Sequence, residues 1–114
     1  MDTNNERVVF VYTTHPSVVE AERIGRELVE KRLCACVNIL PSMVSLYWWQ
    51  GAIERAEEAV MIVKTRAALA EPVRAAVRRL HSYATPAILV LPIENVDPDY
   101  EKWLLAETER AART

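Results

Sequence analysis

The softest candidate metal ligands of the chain are two cysteines, Cys34 and Cys36, in the segment "CACVNIL". This segment is predicted to be a strand, in which residues two positions apart point to the same face. Two thiols on one face could hold a soft ion such as Cu(I). No Cys/His group with zinc-like spacing accompanies them. The sequence therefore favours the alternative that both are reduced, small, buried hydrophobic residues.

The two histidines are candidate ligands of a borderline metal ion. His15 lies just before a predicted helix that Ser17 would cap, and His81 lies at the end of another predicted helix. A histidine at a helix end can also have a structural role, because the helix dipole and local hydrogen bonds satisfy it. The structural role is the favoured interpretation of each one taken alone.

Three glutamates form the candidate acidic group. Glu54 and Glu58 fall on one face of a predicted strand, and Glu57 falls on the other. Paired carboxylates can bind a hard cation or transfer protons. The favoured alternative is that they keep an exposed strand soluble, because charge is a common means of protecting strand edges.

Several function classes are disfavoured by composition. With two glycines in 114 residues, the chain cannot build a P-loop or a G-x-G-x-x-G turn, and it has no G-x-S-x-G motif. We therefore expect that the protein is not an enzyme. A net charge of −2 without a basic run argues against nucleic acid. No apolar run has the roughly 18 residues needed to span a bilayer, and the N-terminus is unlike a signal peptide. We expect a cytoplasmic protein that does not insert into membranes.

Hydrophobic periodicity predicts one domain over residues 1–114, with its core at about 7–107. The predicted strands lie at 7–12, 34–49, 52–65 and 87–91, and the predicted helices at about 17–33, 71–81 and from 98 onward, with residues 110–114 fraying at the end. This β-α-β-β-α-β order, with right-handed crossovers, predicts an α+β ferredoxin-like sandwich followed by a C-terminal helix.

The second and third strands are predicted to form an unusually long hairpin. It should bend near Pro41 and turn at "QG", and arms of about 45 Å would extend beyond the domain. The first, third and fourth predicted strands are apolar on both faces, whereas the first two helices can cover only one face of the sheet. We therefore expect other copies of the chain to cover Tyr47, Trp48 and Trp49. A tryptophan exposed at the hairpin tip is the alternative.

Four blocks of the sequence carry a family resemblance. The blocks "ACVNILP", "YWWQGAIERAEEAVMIVKT", "HSYATPAILVLPIE" and "YEKWL" resemble the CutA family of divalent cation tolerance proteins, over about residues 8–107. The resemblance implies a ferredoxin-like homotrimer with clefts between neighbouring chains, similar in architecture to the signal-transducing PII proteins. It also implies a link to tolerance of copper and other divalent metals, and no catalytic reaction. The expected function is a non-enzymatic, metal-tolerance trimer with weak binding of Cu²⁺ or another divalent ion and no required cofactor.

The resemblance also implies a set of cleft residues: Tyr47, Trp49, Glu54, Lys64, His81 and Tyr83. Because this set includes Lys64, the alternative function is a PII-like regulatory trimer that senses a small anion and acts through a protein partner. A third candidate function is an enzyme that uses Glu54, Lys64 and His81. The chain departs from the family pattern at Ser82, where a proline is usual, and at Ala87, where a glutamate is usual. Some members have a cysteine before the first helix, and His15 is its candidate substitute here.

Overall fold

The computed structural model describes residues 6–112. Its elements, in chain order, are β1 (Val8–His15), α1 (Val18–Glu30), β2 (Cys36–Trp49), β3 (Ala52–Arg66), α2 (Ala70–Leu80), β4 (Ile88–Pro92) and α3 (Pro98–Ala112), with a short 3-10 turn at Ala67–Leu69 before α2. The four strands form one antiparallel sheet in the order β2-β3-β1-β4. This arrangement confirms the predicted ferredoxin-like fold.

The core lies between this sheet and helices α1 and α2. Val11 pairs with Val63, and Val63 with Val37, so one row of apolar side chains crosses three strands on the helix side. The buried cluster comprises Val11, Ala21, Ile24, Leu28, Cys34, Ala59, Met61, Val63, Val73, Ala76 and Val77. Burying each valine, leucine, isoleucine or methionine side chain of this cluster contributes about 1.5 to 3 kcal/mol.

Helix α1 begins as its sequence predicts. The hydroxyl of Ser17 accepts a hydrogen bond from the backbone N–H of Glu20 at 3.1 Å, which satisfies one of the free donors of the first turn. The same helix approaches the sheet closely at Gly25, where an added Cβ would lie 2.9 Å from Met61 Sδ and 3.0 Å from Val37 Cγ2. The small residue therefore sets the distance between α1 and the sheet.

The long hairpin is confirmed. Its pairing shifts register between Leu40 and Met43, next to Pro41, and both turn residues, Gln50 and Gly51, have positive φ angles of 51° and 83°. Two positive φ angles match the twist of antiparallel strands. The hairpin lengthens the molecule to 48 Å along its longest axis, compared with 26 and 21 Å along the others.

The two tryptophans lie on opposite faces of the hairpin. Trp48 pairs with Ile53 on the face that continues the helix side, and Tyr47 pairs with Glu54 on the opposite face, which also carries Trp49. Trp48 is 73% exposed and Trp49 is 51% exposed. No element within residues 6–112 buries either indole, so both surfaces of the hairpin present apolar area.

Helix α3 covers part of the sheet face that α1 and α2 leave open. Arg66, at the end of β3, is buried and donates from Nε to Thr108 Oγ1 at 2.9 Å and from its terminal nitrogen to the Leu105 carbonyl. The helix continues through Ala112, so the fraying expected from residue 110 is wrong for 110–112, and residues 113 and 114 lie outside the described part. None of the helices between residues 6 and 112 is long and apolar enough to cross a membrane.

Candidate functional site

Three elements bring two histidines and a glutamate together at one end of the molecule. His15 is the last residue of β1, Glu20 lies in the first turn of α1, and His81 follows the last turn of α2. The two helices run antiparallel, because successive contacts join Glu20 to Ser82, Arg23 to Leu80 and Glu27 to Arg79. The fold therefore places the beginning of α1 beside the end of α2, next to the end of β1.

The three side chains form a compact, buried group that we call the triad: His15, Glu20 and His81. The imidazole rings stack with centroids 4.6 Å apart and planes inclined by 20°. Glu20 Oε2 lies 3.9 Å from His15 Nδ1 and 3.7 Å from His81 Nδ1. Both histidine side chains are fully inaccessible, and that of Glu20 is 14% exposed. The ligand atoms all lie within 4.8 Å of one another.

Hydrogen bonds fix the protonation of the His15 ring. The Thr13 hydroxyl donates its one hydrogen to the Met61 carbonyl at 3.0 Å. It can therefore only accept at its 2.8 Å contact with His15 Nε2, so this nitrogen carries a hydrogen. The Nδ1 atom of the neutral ring is then a bare lone pair. Among residues 6–112 it is the one buried side-chain polar atom without a hydrogen-bond partner.

The His81 ring has the same tautomer with a different environment. Its Nε2 atom donates to the Thr14 carbonyl at 2.7 Å, and its Nδ1 atom accepts from the backbone N–H of Tyr83 at 3.0 Å. Glu20 is held in place by Ser82, whose hydroxyl donates to Oε2 at 3.0 Å. The loop after α2 thus fixes two members of the triad and leaves the third, His15, with a free lone pair.

Burial keeps the His15 ring neutral at physiological pH. Desolvation, followed by the charge of His81, lowers the pKa of His15 from 6.5 to about 4, although the Glu20 carboxylate acts in the opposite direction. A neutral imidazole is the form that binds metals. Two imidazole rings and one carboxylate match the donor preferences of Zn²⁺, Cu²⁺ and Ni²⁺. The unpartnered Nδ1 atom shows that the residues present fit a cation.

A cleft of about 560 Å³ lies beside the triad, between the hairpin and the loop after α2. Tyr47, Trp49, Glu54, Glu58 and Tyr83 line it together with small residues that include Ala87. Tyr83 connects the triad with the cleft, because its backbone N–H donates to His81 and its hydroxyl donates to Glu58 Oε2 at 3.1 Å. Burial, followed by the Glu58 hydrogen bond and charge, raises the pKa of Tyr83 to about 12, so the phenol remains protonated.

The structure brings four of the six expected cleft residues to the cleft: Tyr47, Trp49, Glu54 and Tyr83. His81 lies just behind it, in the triad. Lys64 does not line this cleft within one chain, and its place in a cleft between neighbouring chains stays a prediction. Lys64 pairs with Phe10 near the other end of β3, and its Nζ lies 5.5 Å from the ring centroids of Phe10 and Tyr100.

The two cysteines lie away from the triad. Strand β2 begins at Cys36, so the strand alternation that would place both thiols on one face does not extend back to Cys34. Cys34 is part of the core, where burial and then the nearby Cys36 raise its pKa to about 12. A thiol that remains protonated is a poor metal ligand. Cys36 is half-buried, and the Asn38 amide lies 3.8 Å from its sulfur.

Glu20 is the site residue that sequence reasoning missed. Its position three residues after Ser17 identifies it as the fourth residue of a capping box, whose carboxylate would return to the cap. Instead, the carboxylate contacts Ser82 and faces both histidines. The spacing of His15 and Glu20 across a helix start was the available signal, but only the fold shows that His81 joins them.

The fold and the site define a class of protein: a ferredoxin-like sandwich with an overlong hairpin and a buried group of candidate metal ligands. A family model described as "CutA1 divalent ion tolerance protein" matches residues 9–107. The chain belongs to this CutA1 family.

Relatives from archaea and bacteria support this assignment. The chain is 50% identical to the "Divalent-cation tolerance protein CutA" of Archaeoglobus fulgidus over 83% of this chain and 92% of that protein. It is 39% identical to the protein of the same name from Pyrococcus horikoshii, over 90% of this chain and all of that protein. A solved structure described as the periplasmic divalent cation tolerance protein CutA from Archaeoglobus fulgidus superimposes with a TM-score of 0.86 at 46% identity, covering 89% of this chain and 98% of that one.

Proposed function

We propose that this chain acts in divalent-cation tolerance by binding a borderline transition-metal ion, with Cu²⁺ as the preferred ion, at His15, Glu20 and His81, and that it catalyses no reaction. The observation that carries the proposal is the lone pair of His15 Nδ1, which is buried, unpartnered and next to a carboxylate. The names of the relatives, which refer to divalent-cation tolerance, agree with it.

The triad has the chemistry of a weak, conditional copper site. Cu²⁺ forms the most stable complexes of the divalent first-row ions with nitrogen and oxygen ligands. His15 Nδ1 is available without displacing a hydrogen bond, whereas His81 Nδ1 must first release the Tyr83 N–H. Because this release opposes binding, the affinity should be lower than that of a site with three free ligands.

Calorimetry with Cu²⁺ on the metal-stripped protein at pH 7 tests the proposal. We expect saturable binding that His15→Gln and Glu20→Gln each weaken at least tenfold, since loss of even an outer-shell partner costs roughly 10- to 100-fold. Cys36→Ser and Glu22→Gln are the matched controls, because Glu22 lies on the exposed side of the same helix. Unchanged affinity in His15→Gln, or loss of binding in Cys36→Ser, would overturn the assignment of the ligands.

We also propose that the chain assembles as a homotrimer through its hairpin. The support is the apolar surface around Trp48, where Leu46 is 70% exposed and Ile53 is 65% exposed. A surface of this kind is typical of a protein contact, and a second copy supplies an equally apolar partner. In this arrangement other copies of the chain cover Tyr47, Trp48 and Trp49, and the cleft lies between neighbouring chains.

The cytoplasm is the proposed location. Its support is that Cys34 and Cys36 are both free thiols, as expected in a reducing compartment. One relative is described as periplasmic and another as chloroplastic, so location varies among these proteins. Cell fractionation, with the chain found in the cytoplasmic fraction, is the test; recovery from a membrane or a periplasmic extract would contradict the proposal.

A further inference from the structure

We propose that Tyr83 regulates the metal site of the proposed function, on which this inference rests: Tyr83 lowers the affinity of the triad for metal and transmits metal binding to the hairpin. Its backbone contacts the triad through His81, and its side chain contacts the hairpin through Glu58. Both contacts lie within one chain. One residue of the loop after α2 therefore connects the candidate ligands with the longest strands of the sheet.

The backbone of Tyr83 competes with a metal ion for His81. Its N–H donates to His81 Nδ1 at 3.0 Å, and a nitrogen lone pair that accepts a hydrogen bond is not available to a metal at the same time. The His81 ring cannot turn to present its other nitrogen without losing the 2.7 Å hydrogen bond between Nε2 and the Thr14 carbonyl. Metal binding at His81 Nδ1 therefore requires the Tyr83 backbone to move away.

The side chain of Tyr83 opposes this movement. Its ring packs against the His81 ring with centroids 4.8 Å apart, and its hydroxyl donates to Glu58 Oε2 at 3.1 Å. A hydrogen bond to a carboxylate is stronger than one between neutral groups. Because movement of the backbone lengthens or breaks this hydrogen bond, its free energy counts against metal binding. By thermodynamic reciprocity, bound metal weakens the contact between Tyr83 and Glu58 by the same factor.

Glu58 lies where the hairpin leaves the body of the sheet. The next residue, Ala59, is the last in this direction to pair with β1. On the other side, Glu58 pairs with Met43, directly after the shift of register that follows Leu40. A β-bulge of this kind bends a strand locally, so a contact at Glu58 acts on the direction of the hairpin. Loss of the Tyr83 hydrogen bond should therefore change the environment of the hairpin base.

Zn²⁺ is the probe, because it is a d¹⁰ ion that does not broaden NMR signals and its ligand preferences match the triad. Calorimetry on the full, assembled protein gives the affinity, and the backbone amide signals give the response of the loop and the hairpin. In the unsubstituted protein, saturating Zn²⁺ should shift the amide signals of both Tyr83 and Glu58.

Tyr83→Phe removes the hydroxyl and keeps the ring. It should strengthen Zn²⁺ binding by roughly twofold to tenfold, which corresponds to one hydrogen bond. The amide signal at position 83 should still shift with Zn²⁺, whereas the shift at Glu58 should diminish. Tyr100→Phe is the matched control, because Tyr100 and Tyr83 are both 37% exposed but Tyr100 lies on α3. This control should leave the affinity and both shifts unaltered.

Three results would overturn the proposal, and they separate it from the metal site itself. If Zn²⁺ binds and shifts the Tyr83 signal but not that of Glu58, the metal site stands and its link to the hairpin is wrong. If Tyr83→Phe binds Zn²⁺ no more tightly than the unsubstituted protein, the hydroxyl does not oppose binding. If neither Zn²⁺ nor Cu²⁺ binds the unsubstituted protein, the proposed function fails together with its regulation.

Discussion

Among residues 6–112, the Nδ1 atom of His15 is the one buried side-chain polar atom without a hydrogen-bond partner. A buried acceptor without a partner costs about 1 to 3 kcal/mol, and an apolar residue of similar shape would avoid this cost. Because the ring already donates to Thr13 through Nε2, the structural role of His15 uses only one of its two nitrogens. The second nitrogen is therefore available for a ligand.

Stability of the metal-free protein should fall in acid because of His15. Its pKa is about 4 in the native state and about 6.5 in the unfolded chain, so between these values the unfolded chain binds a proton that the native state does not. Above pH 6.5 both states leave the ring neutral, and His15 does not lower the free energy of unfolding. As the pH falls from 6.5 to about 4, the free energy of unfolding should decrease by about 3 kcal/mol. Urea unfolding between pH 4 and 7, with a chelator present, measures this loss.

Two further measurements isolate the contribution of His15 from those of His81, Glu20 and Glu58, which also face this region. In His15→Phe the flat ring remains but cannot titrate, so the slope of stability against pH should decrease. NMR titration of the His15 ring protons in the unsubstituted protein gives the pKa directly. A value near 6.5 would show that the ring is not desolvated as described.

Sequence alone could identify the members of the triad only in part. His15 and His81 are recognisable as potential ligands, but each alone has an adequate structural explanation. The third candidate ligand, Glu20, was hidden by its capping-box position, and its contacts with Ser82 and the histidines depend on the antiparallel packing of α1 and α2. The place of Lys64 in an intersubunit cleft comes from the resemblance and stays a prediction; within the chain, Lys64 lies beside Phe10.

At the scale of elements, the contact between α1 and the sheet depends on Gly25. Gly25→Ala should lower the free energy of unfolding by about 1 kcal/mol, because overpacking against Met61 and Val37 outweighs the gain in helix propensity. Chemical denaturation measures this change. If Val37→Ala is added, the double variant should be less destabilised than the sum of the two single changes. An increase in stability in Gly25→Ala alone would show that its neighbours yield freely.

The elements themselves were largely predictable from local chemistry. The Ser17 cap, the "QG" turn and the irregularity near Pro41 each reflect short-range preferences that the tertiary structure does not override. The differences lie at boundaries. Cys34 precedes the strand because the core takes up its side chain, and a 3-10 turn at Ala67–Leu69 precedes α2, where the sequence showed only a helix near Glu71.

At the scale of the whole molecule, the apolar hairpin predicts association. Sedimentation equilibrium should give three times the chain mass of 13.0 kDa, and Trp48→Glu should shift the distribution toward the monomer, because a charge in an apolar contact is strongly unfavourable. Val19→Glu is the matched control: Val19 is 78% exposed, similar to Trp48 at 73%, but lies on α1 and not on the hairpin. A monomeric mass for the unsubstituted protein would contradict the assembly.

The central claim concerns the position of the metal, and anomalous diffraction at the copper edge locates it most directly. In crystals grown with Cu²⁺, we expect an anomalous peak within coordination distance of His15 Nδ1, His81 Nδ1 and the Glu20 carboxylate, accompanied by a shift of the Tyr83 backbone away from His81. A peak at Cys36 with none at the triad, or no peak at saturating Cu²⁺, would contradict the account.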